Sequence, residues 1–276
     1  MPSNDFDVVL EKNSSNANYW RDLWKFRGLF YFLSWRDILV RYKQTVIGIA
    51  WSIIRPLITM VVFTVIFGKL AKLPDQGVPY ILLVCAGMLP WQFFANAFTE
   101  SANSLISNSS MLSKVYFPRL IVPASAVIVS LLDLFISFAI LIGLMIFYRF
   151  VPGWQILLLP VFIGYAAIVT LGAGFLISAL NVRYRDFRYI VPFIVQFGLY
   201  ISPVGFSSDV VPEKWRVLYG LNPMVGVIDG FRWCILGGRS PVMESGFVTS
   251  LILALIIFIV GLRYFRKMEK GFADVI

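Results

Sequence analysis

The stretch from Leu120 to Phe147 reads LIVPASAVIVSLLDLFISFAILIGLMIF and contains a single charged residue, Asp133. A helix of this length, at about 1.5 Å per residue, exceeds the roughly 30 Å hydrocarbon core of a bilayer. The rest of the chain is similar, since 59% of its 276 residues are hydrophobic and only 14% are charged. A soluble domain carries about 25% charged residues. The composition therefore predicts an integral membrane protein.

Six apolar runs predict membrane-spanning helices, and five of them reach the roughly 17–25 residues that a span requires. The sixth, residues 189–206, is shorter and is interrupted by Pro192 and Pro203. We expect an all-α polytopic protein with one transmembrane domain over residues 34–266, preceded by a cytoplasmic N-terminal region, residues 1–46. The six predicted spans cover approximately residues 47–67, 80–98, 120–147, 154–180, 189–206 and 247–265.

The distribution of positive charge predicts the orientation of these spans. Six spans place both termini on one side, where sixteen Lys and Arg residues lie, against seven on the opposite side. The positive-inside rule therefore predicts that both termini are cytoplasmic. This bias also accounts for the net charge of +9, so the basic composition does not indicate a nucleic-acid partner.

The N-terminal region contains two short stretches with helical periodicity. Residues 19–33 place Trp20, Trp24 and other aromatic side chains on one stripe with basic flanks, which predicts a helix in the headgroup plane. Such a helix is either a membrane anchor or a platform for a cytoplasmic partner. Ser34 and Asp37 resemble a capping box, which predicts that a second helix, residues 34–44, begins at Ser34.

A third apolar stretch, residues 209–238, lies on the predicted outer side and is cut by several Pro and Gly residues. Asn222 and Pro223 predict the start of a helix, and Gly237 with Gly238 predicts its end. A helix from Pro223 to Leu236 is about 21 Å long at 1.5 Å per residue, which is too short to cross the bilayer. We expect either a re-entrant helix or a cap on the outer surface.

The sequence lacks the residues that common enzymatic sites require. It contains no histidine, which excludes a histidine-based triad and makes a zinc site unexpected, so no metal is predicted. It also lacks the G-x-x-x-x-G-K-[ST] phosphate loop and any other cofactor fingerprint. We therefore expect no catalytic residues and no cofactor in this chain, and any ATP hydrolysis must occur on another chain.

Polar and aromatic side chains recur at helical spacing inside four of the predicted spans. Several parallel stripes of this kind favour a polar and aromatic path for a substrate, although single polar residues in membrane helices often serve packing alone. Arg55 and Asp133 either form an ion pair or are separate, with Arg55 reaching the headgroups. The candidate path residues are Ser52, Arg55, Thr59, Phe63, Gln92, Asn96, Asp133, Phe193, Phe197 and Tyr200.

Five motifs in a fixed order carry a resemblance to a known family. They are RYKQTVIG at 41–48 with Arg55-Pro56, GMLPWQFF at 87–94, KVYFPR at 114–119, NVRYRDF at 181–187 and LNPM at 221–224. Together with the six apolar runs, they resemble the membrane permease of type-2 ABC exporters for lipid-linked polysaccharide, such as O-antigen, capsule or teichoic acid. The resemblance extends from about residue 34 to the end of the chain.

The resemblance implies a homodimer in the bacterial cytoplasmic membrane, bound to two nucleotide-binding subunits that hold ATP and Mg. The substrate would be a glycan linked to undecaprenyl pyrophosphate, most often O-antigen. The amphipathic helix and the loop between spans two and three would contact the partner subunit through Trp20, Trp24, Arg36, Arg41, Leu105, Ile106 and Leu112. The segment 209–238 would close the outer mouth, with Trp215, Asn222, Pro223 and Phe231 as gate residues.

Two other functions remain open from the sequence. One is a type-2 ABC exporter for a drug or a small lipid, which the high aromatic content disfavours because sugars stack on aromatic faces. The other is a membrane-embedded glycosyltransferase, for which an acidic metal-binding loop is expected. No Asp-x-Asp sequence occurs in the loops between the predicted spans.

Overall fold

The computed structural model describes residues 16–43, 46–74, 77–184, 186–238, 240–243 and 245–272. These residues form α-helices joined by short turns, and no β-strand occurs among them. The predicted all-α class is therefore confirmed over this part of the chain. The helices are α1 (Asn16–Lys25), α2 (Arg27–Lys43), α3 (Val46–Phe63), α4 (Tyr80–Ser107), α5 (Ser109–Leu112), α6 (Ile121–Phe147), α7 (Leu159–Arg183), α8 (Phe187–Ile201), α9 (Glu213–Tyr219), α10 (Pro223–Leu236) and α11 (Ser245–Glu269).

Four helical segments of the described residues are long and apolar enough to cross a membrane. They are Tyr80–Ser107, Ile121–Phe147, Trp154–Arg183 and Gly246–Glu269, at the positions of the second, third, fourth and sixth predicted spans. Two shorter apolar helices, Pro56–Leu70 and Phe187–Ile201, lie at the positions of the first and fifth. The chain is therefore a multi-pass membrane protein, and the count of six spans stays a prediction.

The bundle is built around α4, which contacts α6, α7 and α10 and is buried along most of its length. The helices α7 and α11 cross at glycines. A Cβ atom added to Gly172 would lie 2.5 Å from Cα of Phe258, and one added to Gly261 would overlap the carbonyl oxygen of Gly172. Small residues at such positions let membrane helices approach backbone to backbone.

One end of the bundle, here called the terminal end, joins α1, the segment before α6 and the end of α11. The Glu269 carboxylate accepts hydrogen bonds from the Tyr19 hydroxyl at 3.1 Å and from the Arg119 amide at 2.7 Å. The Arg119 guanidinium also donates to the Glu269 carbonyl at 2.7 Å. Burial, together with the charge of Glu269, raises the pKa of Tyr19, so its hydroxyl stays protonated and remains a donor. These contacts fix α1 against α11.

The break between the first two helices differs from the sequence prediction. The two helices are separated by a turn at Phe26. Ser34 lies inside α2, and its hydroxyl donates to the Phe30 carbonyl at 2.9 Å. The predicted capping box at Ser34 is therefore wrong, because the serine bonds to the preceding helical turn instead of capping a new helix. Asp37 forms an ion pair with Arg36 at 2.7 Å rather than capping a helix N-terminus.

The helix predicted from Pro223 to Leu236 is confirmed, with the same bounds. The Asn222 side chain accepts a hydrogen bond from the Met224 amide at 3.0 Å, and Gly237 adopts a φ of 78°, which favours glycine. This helix, α10, packs against α4, α7 and α11. With α9 and the turn after α8 it forms the opposite, distal end of the bundle.

Candidate functional site

The aromatic stripe predicted on the fifth span lies on an open face of α8. Phe193, Phe197 and Tyr200 are 65%, 55% and 61% exposed. The rings of Phe193 and Phe197 are stacked, with centroids 5.6 Å apart and planes within 7°. The opposite side of the helix packs at Gly198, where an added Cβ would lie 2.5 Å from the Trp91 indole. The structure therefore leaves all three aromatic side chains more than half exposed.

A polar face runs along α4 and includes Gln92 and Asn96 of the predicted path. Gln92, Asn96 and Glu100 follow at intervals of four residues, and the last two are exposed while Gln92 is half-buried. The neighbouring Thr99 and Asn103 bond to the preceding turn of their own helix, at 2.7 and 3.0 Å. The face can therefore offer amide and carboxylate groups to a polar ligand or to a second chain.

The first predicted span contributes less to an open face than expected. Phe63 is buried and its ring lies 5.4 Å from that of Phe67, so its role as a path residue is not supported in this conformation. A Cβ on Gly205 would meet both rings at 2.7 Å, because the turn after α8 packs directly on them. Thr59 is half-buried, and the side chains of Ser52 and Arg55 lie outside the described residues.

Asp133 has partners that the sequence did not predict. One carboxylate oxygen pairs with the Arg41 guanidinium at 2.6 Å, and the other accepts a short hydrogen bond from the Tyr42 hydroxyl. The same guanidinium pairs with Glu100 at 2.8 Å. Asp133 is therefore bound to α2, while the side chain of Arg55, the possible partner considered from the sequence, lies outside the described residues. Arg41, expected on the docking surface, is engaged inside the chain.

Of the docking residues predicted in the N-terminal helices, two tryptophans are exposed and Arg36 is bonded within the chain. Trp20 and Trp24 are exposed, 49% and 71%. Arg36 donates to the Asn108 side-chain oxygen at 2.9 Å, which ties α2 to the turn after α4.

The predicted loop between spans two and three is largely helical. Residues 100–107 continue α4, and Leu105 and Leu112 are buried in the terminal-end core while Ile106 is half-buried. Because Leu105 and Leu112 are already packed within the chain, their predicted insertion into a partner subunit is wrong for this conformation. A shallow pocket of about 290 Å³ lies beside them and is lined by residues 112–117 and Arg119.

At the distal end, one buried arginine organises the segment predicted as an outer gate. The Arg232 guanidinium donates to the carbonyls of Phe206 at 2.6 Å, Val204 at 2.9 Å and Leu83 at 3.3 Å. The three carbonyl acceptors stabilise the cationic guanidinium, a form that arginine retains even when buried. The sequence signal for this residue was its place beside Asp229 in a largely apolar helix, where charged residues usually mark a specific role.

The predicted gate residues take different positions around this anchor. Trp215 is exposed, Asn222 caps α10, and Pro223 is its first residue. Phe231 is fully buried and stacks on Phe138 with centroids 6.3 Å apart, so it is a core residue and its assignment to the gate is wrong here.

A distal pocket of about 310 Å³ opens between α9, α10 and the start of α11. Its lining includes Asp209, Arg216, Tyr219, Asp229 and Trp233. The Asp229 carboxylate accepts a hydrogen bond from the Ser208 hydroxyl at 2.8 Å. This carboxylate therefore already has a hydrogen-bond partner within the chain.

The chain is similar along most of its length to known transport proteins. It is 30% identical over 246 residues, 87% of this chain and 92% of the relative, to the O-antigen export system permease protein RfbA of Klebsiella pneumoniae. A protein of the same name from Myxococcus xanthus is 26% identical over 93% of this chain and 98% of its own length. The inner membrane transport permease YadH of Escherichia coli K12 is 25% identical over 67% of this chain and 76% of its own length.

Residues 28–236 match the sequence model of a protein family described as ABC-2 type transporter. The match begins at the start of α2, spans α3 to α9 and ends at the last residue of α10. It therefore includes the ion pairs of Arg41, the polar face of α4, the aromatic face of α8 and the Arg232 anchor. This all-α, multi-pass chain belongs to the ABC-2 type transporter membrane family.

Proposed function

We propose that this chain is the permease subunit of an ATP-driven exporter that moves O-antigen, linked to undecaprenyl pyrophosphate, across the bacterial inner membrane. The observation that carries the proposal is the similarity to O-antigen export permeases over 92–98% of those proteins' lengths. A nearly full-length match supports a shared architecture as well as a shared family.

We infer six spans with cytoplasmic termini and a re-entrant α10 on the outer side. The sixteen-to-seven division of Lys and Arg supports the orientation. The fourteen-residue length of α10 and its burial against α4, α7 and α11 support re-entry, because non-spanning backbone at membrane depth must be enclosed by protein or line a cavity. A reporter that is active only in the periplasm should be silent when fused after Ile276, and strong activity there would contradict this topology.

The proposed assembly is a homodimer bound to two nucleotide-binding subunits, which hold ATP and Mg. The chain has no phosphate loop, so the purified chain should not hydrolyse ATP alone. The exposed Trp20 and Trp24 and the pocket beside Arg119 remain candidates for the cytoplasmic contact.

In the proposed path, the two copies bring their α8 faces together around the two-fold axis. Stacked rings such as Phe193 and Phe197 offer flat apolar surfaces that sugar rings can slide across, while the α4 face supplies hydrogen-bonding groups. Neutral contacts of this kind bind a long glycan weakly at many positions, which permits movement.

The test compares Phe197→Ala and Tyr200→Ala with Phe135→Ala in cells that lack their own O-antigen exporter. Phe135 is a matched control, since it is 56% exposed on α6 but lies off the proposed path. We expect both α8 variants to reduce surface O-antigen with unchanged protein level, and the control to export normally. Equal export by all three variants would refute the assigned path.

An exporter for a drug or a small lipid is the second candidate, favoured by the similarity to the transport permease YadH, whose name specifies no glycan. The two candidates differ in what stimulates the ATPase of the reconstituted complex. Stimulation by lipid-linked glycan supports the first proposal. Stimulation by a hydrophobic drug or a free lipid, with no response to the glycan, would support the second.

A further inference from the structure

Three helices meet at the guanidinium of Arg41, the third-last residue of α2. One of its nitrogens lies 2.6 Å from a carboxylate oxygen of Asp133 on α6, and another lies 2.8 Å from Glu100 on α4. Tyr42, the next residue, donates to the second oxygen of Asp133. Two adjacent side chains of α2 therefore hold two candidate membrane spans at once.

This cluster lies far along the bundle from the terminal end, and it is only partly exposed. Asp133 is twelve residues beyond the start of α6, about 18 Å along the helix at 1.5 Å per residue. The side chains of Asp133 and Arg41 are 17% and 30% exposed, while that of Glu100 is 54% exposed. One arm of Arg41 is thus largely enclosed, and the other reaches an open surface.

The open arm ends at the polar face of α4. Glu100 is the member of this face nearest to the terminal end, followed towards the distal end by Asn96 and Gln92. Arg41 therefore stands where the polar face begins on the side of the N-terminal helices. A planar guanidinium can bind both carboxylates together, whereas an ammonium group acts as a single point charge.

We propose that Arg41 is a latch that fixes α2 to α4 and α6 beside the α4 polar face and couples the movement of α2 to both helices. When α2 shifts, the guanidinium leaves Asp133 or Glu100, and more of the α4 face becomes accessible to water. Arg41 acts here as a positioning residue, because its contacts are with helices rather than with substrate. The transport role of the latch rests on the proposed function, but its effect on access to the polar face does not.

The first test measures access without any substrate. Asn96→Cys is labelled with a membrane-impermeant maleimide in inside-out vesicles, where the native Cys85 and Cys234 are buried. We expect Arg41→Gln to raise the labelling rate roughly tenfold, the size of effect that losing a charged hydrogen bond produces. Arg41→Lys should give an intermediate rate. Arg21→Gln, which removes an exposed charge on α1, is the control and should match the parent.

Equal labelling of Arg41→Gln and the parent would overturn the latch. If Arg41→Gln does not accumulate in the membrane, Glu100→Gln provides the same measurement, because it releases only the exposed arm. We expect a roughly two- to fivefold rise for this variant, as for an exposed ion pair, and an unchanged rate would overturn the proposal.

The second test uses charge exchange in the complete exporter. Arg41→Glu and Asp133→Arg, each made together with Glu100→Gln so that no second carboxylate faces position 41, should each uncouple ATP hydrolysis from glycan export. Combining both exchanges in the same Glu100→Gln background should restore coupling, because the ion pair is re-formed with its charges exchanged. A combined variant as inactive as the single exchanges, with normal assembly, would overturn the latch. Failure of the unmodified complex to move lipid-linked glycan would refute the proposed function instead, and the labelling test would still decide the latch.

Discussion

Replacing Gly172 by alanine should destabilise the bundle at the crossing of α7 and α11. The added Cβ would lie 2.5 Å from Cα of Phe258 and 2.7 Å from its backbone nitrogen, whereas carbon atoms in contact are about 3.5–4.0 Å apart. Because both neighbours are backbone atoms, the helices must separate by about 1 Å or more, since no side chain can rotate away. Overpacking of this kind costs about 1–3 kcal/mol.

Gly164→Ala on the same helix is the matched control, because nothing lies within 4 Å of its added Cβ. At about 2–4 °C per kcal/mol, Gly172→Ala should lower the apparent melting temperature of the detergent-purified protein by about 2–12 °C. Gly164→Ala should melt as the parent does. Size-exclusion chromatography after a heating series measures both. Equal melting of the two variants would show that the helices do not approach each other as closely as described.

Three further predictions concern single contacts. Arg232→Met should lower the free energy of unfolding by about 3 kcal/mol, because it leaves the carbonyls of Val204 and Phe206 without their charged donor; thermal melts that match the parent would contradict this. Tyr165→Phe should cost about 1 kcal/mol, since it removes the hydroxyl that lies 2.9 Å from Ser250, and the loss should be smaller in a Ser250→Ala background, where the 3.4 Å hydrogen bond to the Pro223 carbonyl remains. Glu269→Ala should release α1, which limited trypsin digestion would detect as faster cleavage near Arg21 and Lys25; unchanged digestion would show that the Tyr19 contact does not hold α1.

The elements that the sequence predicted well are those set by local chemistry. The apolar runs predicted the four long helices, because length and hydropathy are properties of each segment alone. The bounds of α10 followed from Asn222, Pro223 and Gly237, whose side chains or backbone preferences act within one turn of the helix end.

The features that the sequence did not predict depend on contacts between distant segments. Ser34 has the same local pattern whether it caps a helix or bonds within one, and the position of the break at Phe26 decides between them. Leu105 was expected to contact a partner subunit from the loop between spans two and three, yet α4 continues past it into the terminal-end core. Arg41 and Asp133 are 92 residues apart, so periodicity within one span could not pair them.

The order of synthesis bears on how α10 takes its place. All three carbonyl acceptors of Arg232, from Leu83, Val204 and Phe206, precede it in the chain and leave the ribosome first. A helix carrying both Asp229 and Arg232 is a poor substrate for independent insertion into lipid, since each charge costs about 2.5–3.5 kcal/mol near a helix centre. The earlier helices can already present these acceptors when α10 emerges, so this segment reaches its position by docking onto protein rather than by partitioning into the bilayer.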